Sequence, residues 1–280
     1  MSAYAYRIVN VFTQGRAPLS GNPLCVFERA QTLDAASMQA LARQFNLSET
    51  TFILPSERAT ARVRIFTPGY EMPFAGHPTL GTAHVCRALG LGGDRLTLEM
   101  PAGIITVRAA GDRWTLQAKA PSWREVQEPR LTLAALLGLD ERDIGERPLW
   151  VNAGTEQLVV PLKSEAAVRR VRVRADLFAQ LASVDGHGMA YVFAPSGAGL
   201  LARFFFPQGG SALEDPATGS ATANLGGWYL AMGRTLPCEL EISQGEYAGR
   251  PSALRLRVDA ERQIFVSGDV IELGRGTINL

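Results

Sequence analysis

Two segments of the sequence share an unusual construction that can carry acid–base chemistry. "MPFAGHPTLGTAHV" (Met72 to Val85) and "LEDPATGSATANL" (Leu213 to Leu225) each place a polar residue before a proline, then small residues and an apolar run. Proline favours the first turn of a helix, so the pattern predicts His77 and Asp215 at the N-cap positions of two helices. Imidazole and carboxylate groups are common proton carriers in enzymes, which makes both residues catalytic candidates.

The small residues around these two positions indicate a binding site for an anion. Gly76 precedes His77, and Gly219 and Ser220 follow Asp215, so backbone N–H groups can approach a ligand closely. Helix N-termini attract anions through such free N–H groups and through the helix dipole. If two similar domains pair about a pseudo-twofold axis, both helix starts face one cleft. A small carboxylate is then the expected ligand.

Glu49, in "NLSETTFIL", is a third candidate for proton transfer. It follows a predicted helix and precedes an apolar strand. Taken alone, a charged residue at such a junction is more often solvated, just as an aspartate at an N-cap is more often only a cap. A carboxyl group beside a strand that enters the core can instead be desolvated. Its pKa then rises towards the range that is useful for proton transfer.

Composition and charge exclude several classes of function. The formal charge of the 280 residues is +1, which gives no electrostatic reason to expect binding to nucleic acid or to an anionic membrane. No run approaches the ~18 apolar residues of a membrane helix, and the N-terminus alternates like a strand instead of resembling a signal peptide. Three scattered cysteines are typical of a reducing compartment, so a cytoplasmic protein is expected.

The sequence also lacks the motifs of several kinds of catalysis. Only Lys119 and Lys163 are lysines, and neither lies in the glycine-rich or motif-like context that a P-loop or Schiff-base enzyme needs. His77 and His84 are seven residues apart, without the spacing of a zinc site, and no G-x-S-x-G motif is present. We therefore expect acid–base chemistry without a metal or other cofactor.

The periodicity of the sequence predicts mostly strands, with two helices that are apolar almost all round and therefore buried. Pro78 matches Pro216 and Gly81 matches Gly219, both at an offset of 138 residues, which indicates a duplicated domain. The polar segment 120–130 is a candidate linker. We predict an α+β fold with two pseudo-symmetric domains, each a mostly antiparallel, barrel-like sheet around a central helix. The predicted domains are 1–120, with its helix at about 78–90, and 121–280, with its helix at about 217–232. The last strand is allowed to pack on the N-terminal domain.

Five segments resemble the PhzF phenazine-biosynthesis family in order and spacing, from about Arg7 to about Leu273. They are "SGNPLCVF", "LARQFNLSETTFI", "RIFTPGYEMPFAGHPTLGTAHV", "EDPATGSATANL" and "QGEYAGRPS". The resemblance implies the diaminopimelate-epimerase-like fold and a homodimer. Racemases of this fold use one thiol from each domain. Ala75 stands before "GH", and neither loop contains a cysteine, so a two-thiol racemase is excluded.

The resemblance also implies roles for individual residues. The family's acid/base glutamate maps onto Glu49. Its supporting histidine and aspartate map onto His77 and Asp215, and its helix-start serine maps onto Ser220. Asn22, in "SGNP", is a candidate polar contact of the substrate, although Asn-Pro is also an ordinary turn signal.

The activity that the resemblance implies is an isomerisation. An isomerase of this family moves a double bond by proton transfer in trans-2,3-dihydro-3-hydroxyanthranilate. We therefore expect a cofactor-independent isomerase of a small unsaturated carboxylate. Two alternatives stay open at this point. One is an epimerase or racemase of an amino or hydroxy acid, and the other is a non-catalytic module that binds a small carboxylate.

Overall fold

The computed structural model describes residues 2–178 and 188–280. The chain divides into two compact units. Unit 1 comprises Met1–Gln117 and Ser267–Leu280, and unit 2 comprises Ala118–Val266. The predicted second domain ran to residue 280, with its last strand allowed to pack on the N-terminal domain, and the contacts place that strand from Ser267 onwards in unit 1. Within the described residues, no helix has the length and apolar character needed to cross a membrane.

Unit 1 contains two helices, the first eight strands of the chain and most of its last strand. In chain order its elements are β1 (Ala3–Val11), β2 (Asn22–Phe27), α1 (Ala35–Phe45), β3 (Glu49–Leu54), β4 (Ala61–Phe66), β5 (Glu71–Met72), α2 (Gly76–Ala88), β6 (Arg95–Met100), β7 (Gly103–Ala110), β8 (Arg113–Gln117) and, at the end of the chain, β17 (Ile264–Asn279). Asp34 is the N-cap of α1, because its side chain accepts a hydrogen bond from the Ser37 N–H.

The strands of unit 1 close into an eight-stranded barrel. Neighbouring strands pair in the order β1, β2, β3, β4, β6, β7, β8 and β17, and β17 pairs with β1 to complete the ring. The pairs β2–β3 and β4–β6 are parallel, and the pairs β1–β2, β3–β4, β6–β7, β7–β8 and β1–β17 are antiparallel. The short strand β5 forms a hairpin with β4 directly before α2.

Unit 2 is built from the middle of the chain. Its elements are β9 (Ser122–Glu125), α3 (Arg130–Leu137), a short 3₁₀-helix (Glu141–Asp143), β10 (Leu149–Asn152), β11 (Glu156–Pro161), α4 (Glu165–Arg170), α5 (Ala175–Phe178), β12 (Ala190–Ser196), β13 (Gly199–Gln208), β14 (Ser211–Asp215), α6 (Gly219–Ala231), β15 (Cys238–Gln244) and β16 (Ser252–Val258). Segment 120–130 is therefore not a free linker, because β9 pairs with β10. The segment "ADLFAQLA" has an amphipathic helical pattern; α5 covers its first four residues, and its last four lie outside the described part.

The connectivity of unit 2 repeats that of unit 1. The parallel pairs β11–β12 and β13–β15 correspond to β2–β3 and β4–β6. The hairpin β13–β14 precedes α6 just as β4–β5 precedes α2. The predicted internal repeat is therefore a repeat of topology. Each unit is a mostly antiparallel sheet around one central helix.

The two central helices are buried on almost every side, as their composition predicts. Nine of the 13 residues of α2 and ten of the 13 residues of α6 are buried. Helix α2 packs against β1, β2, β3, β4, β6 and β8, and α6 packs against β9, β10, β11 and β16. The fit is close, since a Cβ atom added at Gly81 would lie 2.6 Å from the Leu24 side chain. Small residues therefore allow each helix to fit inside its sheet.

The register of the repeat differs from the predicted one. The N-caps of the two equal-length helices are Ala75 and Thr218, so equivalent residues here are 143 positions apart (218 minus 75). The predicted offset of 138 is wrong at the helices because it aligned Pro78 with Pro216. Pro73 is the residue equivalent to Pro216. The first segment has a proline and a glycine three residues apart twice, at Pro73 and Gly76 and again at Pro78 and Gly81. Either pair can be aligned with Pro216 and Gly219, and the two alignments differ by five positions.

Neither His77 nor Asp215 occupies the predicted N-cap position. His77 is the second residue of α2, and Asp215 is the last residue of β14. The hairpin pairing confirms the new register, since Met72 and Asp215 hold the same place opposite β4 and β13. His77 is therefore equivalent to Ser220 and not to Asp215. The repeat supplies two equivalent frameworks that carry different functional groups.

Candidate active site

A duplicated ion pair holds the hairpin in front of each central helix. Arg64 donates two hydrogen bonds to the Glu71 carboxylate, at 2.7 and 2.6 Å. Arg203 makes the same two-fold contact with Glu214, at 3.1 and 2.7 Å. Each guanidinium also lies about 5 Å from the ring of the phenylalanine two residues along its strand. These ion pairs fix the chain immediately before Met72 and Asp215. A few residues further on, the helices α2 and α6 begin.

Glu49 is positioned by β3 and α1. Helix α1 ends at Phe45, and Asn46 follows in the left-handed conformation with its N–H bonded to the Ala42 carbonyl. Glu49 then opens β3. Its side chain lies on the same face as that of Thr51, because alternate residues of a strand share a face. The Thr51 hydroxyl lies 2.8 Å from the Thr82 hydroxyl of α2, so the Glu49 face of β3 is turned towards that helix.

Glu49 and His77 form a close, nearly buried pair within unit 1. Glu49 Oε2 lies 3.4 Å from His77 Nε2, and the side chains are 15% and 8% exposed respectively. The His77 ring also donates a hydrogen bond to the Pro23 carbonyl. Burial lowers the pKa of His77 to about 3, so the imidazole is neutral at pH 7.

The single ring proton of His77 is therefore placed on one nitrogen. Nε2 has no hydrogen-bond partner, so the donor to Pro23 is Nδ1. A neutral imidazole with its proton on Nδ1 presents a lone pair at Nε2. That lone pair faces the Glu49 carboxyl group and can accept a hydrogen bond from it once Glu49 carries a proton. The geometry thus provides for the protonated form of Glu49, as a proton carrier requires.

Among the described residues of unit 2, the position equivalent to Glu49 carries no carboxyl group. In unit 1, Glu49 opens β3 opposite Leu24 of β2. In unit 2, Ala190 opens β12 opposite Leu158 of β11. The equivalent position in the second framework therefore carries a methyl group in place of a carboxyl group.

Asp215 is held at the end of β14 by its own loop. The Thr218 hydroxyl donates to Asp215 Oδ2. The buried Gln244 side chain donates to the Asp215 carbonyl at 2.8 Å and to the Thr218 hydroxyl at 3.0 Å. Because Thr218 accepts from Gln244, its own proton is directed to Asp215. The equivalent of Gln244 in unit 1 is Met100, which cannot make these contacts.

Ser220 lies at the second position of α6 and contacts a second buried amide. Gln157 of β11 donates to the Ser220 hydroxyl at 3.0 Å, and Asn224 of α6 donates to Gln157 Oε1 at 2.8 Å. Both amide side chains are almost fully buried, at 1% and 0% exposure. Ser220 is partly exposed, so its hydroxyl can reach a ligand.

The remaining predicted binding residues lie beside these groups. Asn22 is fully buried as the first residue of β2, next to the Pro23 carbonyl that holds His77. Gly76 and Gly219 are the first residues of α2 and α6, where helix N–H groups lack partners within their own helix. Unit 1 thus brings together Glu49, His77, Asn22 and Gly76. Unit 2 brings together Asp215, Gly219 and Ser220.

Sequence reasoning missed the uncharged groups that orient these residues. Gln157 and Gln244 lie in strands, Asn224 lies in the central helix, and all three are buried. The signal was present, since "EQLVVPL" and "TANLGG" each place one amide inside an apolar run. A buried amide must find partners. No cluster of three or more metal-ligating side chains was found among residues 2–178 and 188–280.

The low pKa of His77 predicts a specific acid sensitivity. In the unfolded chain the imidazole gains a proton near pH 6.5, whereas in the folded chain it does so only near pH 3. The unfolded state binds more protons between these values, so stability falls on acidification by up to about 1.4 kcal/mol per pH unit. His77→Gln is expected to show a shallower loss. Urea unfolding of both proteins between pH 7.5 and 4.5 measures it, and equal slopes would contradict the assignment.

Comparisons with known proteins identify the family of the chain. The family model for phenazine biosynthesis-like proteins, PhzC-PhzF, matches residues 9–273. The chain belongs to the PhzF family. It is 38% identical over 281 residues to an uncharacterised isomerase of Pasteurella multocida, covering 99% of this chain and 95% of that protein. It is 37% identical over 292 residues to the trans-2,3-dihydro-3-hydroxyanthranilate isomerase of Pseudomonas aeruginosa, with 98% of each chain covered.

The fold comparison points the same way. A PhzF-family protein from Bacillus anthracis has a TM-score of 0.88 and 24% identity, and the match spans the whole of both chains. The predicted diaminopimelate-epimerase-like fold is confirmed. The prediction that the chain is an isomerase of the PhzF type is confirmed as well.

Proposed function

We propose that this PhzF-family isomerase moves a double bond in trans-2,3-dihydro-3-hydroxyanthranilate or a closely related unsaturated carboxylate, with Glu49 as its one acid/base group. The observation that carries the proposal is the pairing of Glu49 with a neutral His77, together with Ala190 at the equivalent place in unit 2. An epimerase that works from both faces of a carbon needs a proton carrier on each side. A double-bond shift on one face needs only one.

The proposed reaction conserves both atoms and electrons. Glu49 removes a proton from a carbon next to the double bond, and the C–H electron pair forms a new π bond. The original π electrons then form a C–H bond at the far carbon, with the proton that Glu49 returns. His77 Nε2, 3.4 Å away, accepts a hydrogen bond from Glu49 while the proton is held there. No electrons are gained or lost, so the step requires no redox partner.

The other predicted residues bind and orient the substrate in this proposal. Asp215 is a second carboxyl group of the site, held by Thr218, and it orients the substrate. In unit 2, the N–H groups at the start of α6 and the Ser220 hydroxyl bind the substrate carboxylate, and in unit 1 Gly76 offers the corresponding N–H groups at the start of α2. Acid–base catalysis of this kind is worth about 10²- to 10⁴-fold in rate, and positioning contributes the rest.

Turnover in deuterated water tests the proposal directly. Incubation with trans-2,3-dihydro-3-hydroxyanthranilate is expected to give a product of equal mass except for deuterium at the newly protonated carbon. Absorbance follows the double bond, and mass spectrometry with NMR locates the label. Return of the same proton by Glu49 lowers the labelled fraction but does not move the label.

Other outcomes identify the alternatives. Inversion of a stereocentre without movement of the double bond would indicate an epimerase. Binding with neither turnover nor exchange would indicate a carboxylate-binding module. Failure to consume this substrate or its unsaturated analogues would contradict the proposal.

The proposal also includes a homodimer in the cytoplasm. Three free thiols, Cys25, Cys86 and Cys238, suit a reducing compartment. The homodimer rests on the family resemblance alone. Light scattering after size-exclusion chromatography is expected to give twice the chain mass of 30.2 kDa.

A further inference from the structure

Beyond the proposed function, on which this inference rests, we propose that Gln157 and Asn224 are positioning residues that aim the Ser220 hydroxyl proton at the substrate carboxylate. Ser220 itself is the group that touches the substrate. The two amides lie behind it, almost fully buried between β11 and α6. They act through the direction of the hydrogen bonds that they make.

The direction of these bonds is set at a backbone group. The Ala153 N–H donates to Asn224 Oδ1 at 2.7 Å, and an N–H can only donate. The other end of the amide is therefore Nδ2, which donates to Gln157 Oε1 at 2.8 Å and to the Thr155 carbonyl at 2.9 Å. The Gln157 oxygen is thus engaged as an acceptor. Its Nε2 must face Ser220, to which it donates at 3.0 Å.

These hydrogen bonds fix the direction of the Ser220 hydroxyl proton. A serine hydroxyl has one proton and two lone pairs. Gln157 Nε2 donates to one lone pair, so the Ser220 proton cannot point back towards Gln157. It is left to donate to an acceptor outside the network. A hydrogen bond from an aligned donor to a charged carboxylate is stronger than one between neutral groups, and it costs no reorientation when the ligand arrives.

The duplicated framework shows that the fold does not need this network. In unit 1 the residue equivalent to Asn224 is Gly81, and the residue equivalent to Gln157 is Pro23. There the helix packs directly against the sheet, and a Cβ at Gly81 would lie 2.6 Å from a leucine side chain. The same helix-in-sheet arrangement is therefore built without buried amides. Their presence in unit 2 accompanies Ser220, whereas His77, the equivalent of Ser220, is oriented by a backbone carbonyl.

Two probes that differ by one carboxylate test the inference. 3-Hydroxyanthranilate keeps the carboxylate of the proposed substrate, and 2-aminophenol lacks it. Calorimetry is expected to show about 10-fold weaker binding of 3-hydroxyanthranilate to Gln157→Met than to the unchanged protein, with binding of 2-aminophenol altered less than about twofold. In Gln157→Glu, the new carboxylate still accepts the hydrogen bond from Asn224, but it also accepts one from the Ser220 hydroxyl and so turns that proton away from the ligand. The affinity of this variant for 3-hydroxyanthranilate is expected to fall about 100-fold.

Pairing these changes with Ser220→Ala separates positioning from a structural role. If Gln157 acts through Ser220, Gln157→Met has little further effect on carboxylate binding once the hydroxyl is gone. Gln39→Met is the matched control, because it makes the same substitution at a glutamine of α1 whose amide donates to the Thr67 carbonyl. Thermal melts show which variants are folded. If Gln157→Met does not fold, the binding comparison is made with Gln157→Glu.

The inference fails on any of three results. These are equal losses for the two probes, additive losses in the Gln157→Met/Ser220→Ala protein, or unchanged protein that binds 3-hydroxyanthranilate no tighter than 2-aminophenol. These binding results need no turnover. A protein that passes them but does not isomerise the dihydro compound would instead contradict the proposed function.

Discussion

Glu49→Gln is expected to lower the turnover of trans-2,3-dihydro-3-hydroxyanthranilate by about 10²- to 10⁴-fold and to remove deuterium uptake from solvent. Glutamine keeps the size of the side chain but cannot accept and return a proton at neutral pH. Its amide can still donate a hydrogen bond to His77 Nε2, which lies 3.4 Å from the present carboxylate. Substrate binding and the melting temperature are therefore expected to change little. The predicted effect is on kcat, with a small effect on KM.

Glu57→Gln is the matched control for this experiment. Glu57 is exposed in the turn between β3 and β4, so the substitution removes the same charge away from the barrel interior. It is expected to leave both kcat and deuterium uptake unchanged. A Glu49→Gln protein that is folded and still exchanges deuterium at the normal rate would remove Glu49 from the mechanism.

Asp215→Asn is expected to have the second-largest effect, a fall in kcat/KM of about 10²-fold. The substitution replaces the carboxylate with an amide of the same shape. Thr218 can donate to the amide oxygen as it does to Asp215 Oδ2, and Gln244 still holds the loop through the backbone carbonyl. The loop geometry is therefore preserved, and the loss reports on the charge itself. Steady-state kinetics with a parallel thermal melt measures both effects.

Asp140→Asn provides the matched control in unit 2. Asp140 caps the short 3₁₀-helix, and asparagine is as good a cap as aspartate, so activity and stability are both expected to stay constant. A folded Asp215→Asn protein with full activity would show that Asp215 only caps its own loop through Thr218.

Much of the fold could be predicted from the sequence because it depends on local patterns. The all-round apolar character of "TLGTAHVCRALG" and "ATGSATANLGGWYLAMG" correctly predicted two buried helices, since any exposed face would have required polar residues. Gly90 and Gly233 end them in the left-handed conformation, as expected of C-terminal glycines. Alternation of apolar and polar residues located the strands, because successive side chains of a strand point to opposite faces of the sheet.

The candidate acid/base group could be identified by residue type, but its surroundings could not. Nothing in "NLSET" shows that β3 runs parallel to β2 with Glu49 opposite Leu24. That pairing places Glu49 beside His77, which is 28 residues away along the chain and donates to the Pro23 carbonyl. Strand pairing is a non-local property, so the neutral state of His77 and the lone pair that it presents to Glu49 follow only from the tertiary structure.

By itself, the sequence determined the types of groups that can carry protons, the two buried helices and the existence of a repeat. Only the tertiary structure decided which residues of the two frameworks correspond. Glycine and proline signal a local turn wherever they occur, so His77 was matched with Asp215 instead of Ser220. Hydrogen bonds between paired strands and around buried amides require specific partners at short distances. They therefore set a register that turn residues alone cannot set, and in that register the unit 2 residue equivalent to Glu49 is Ala190.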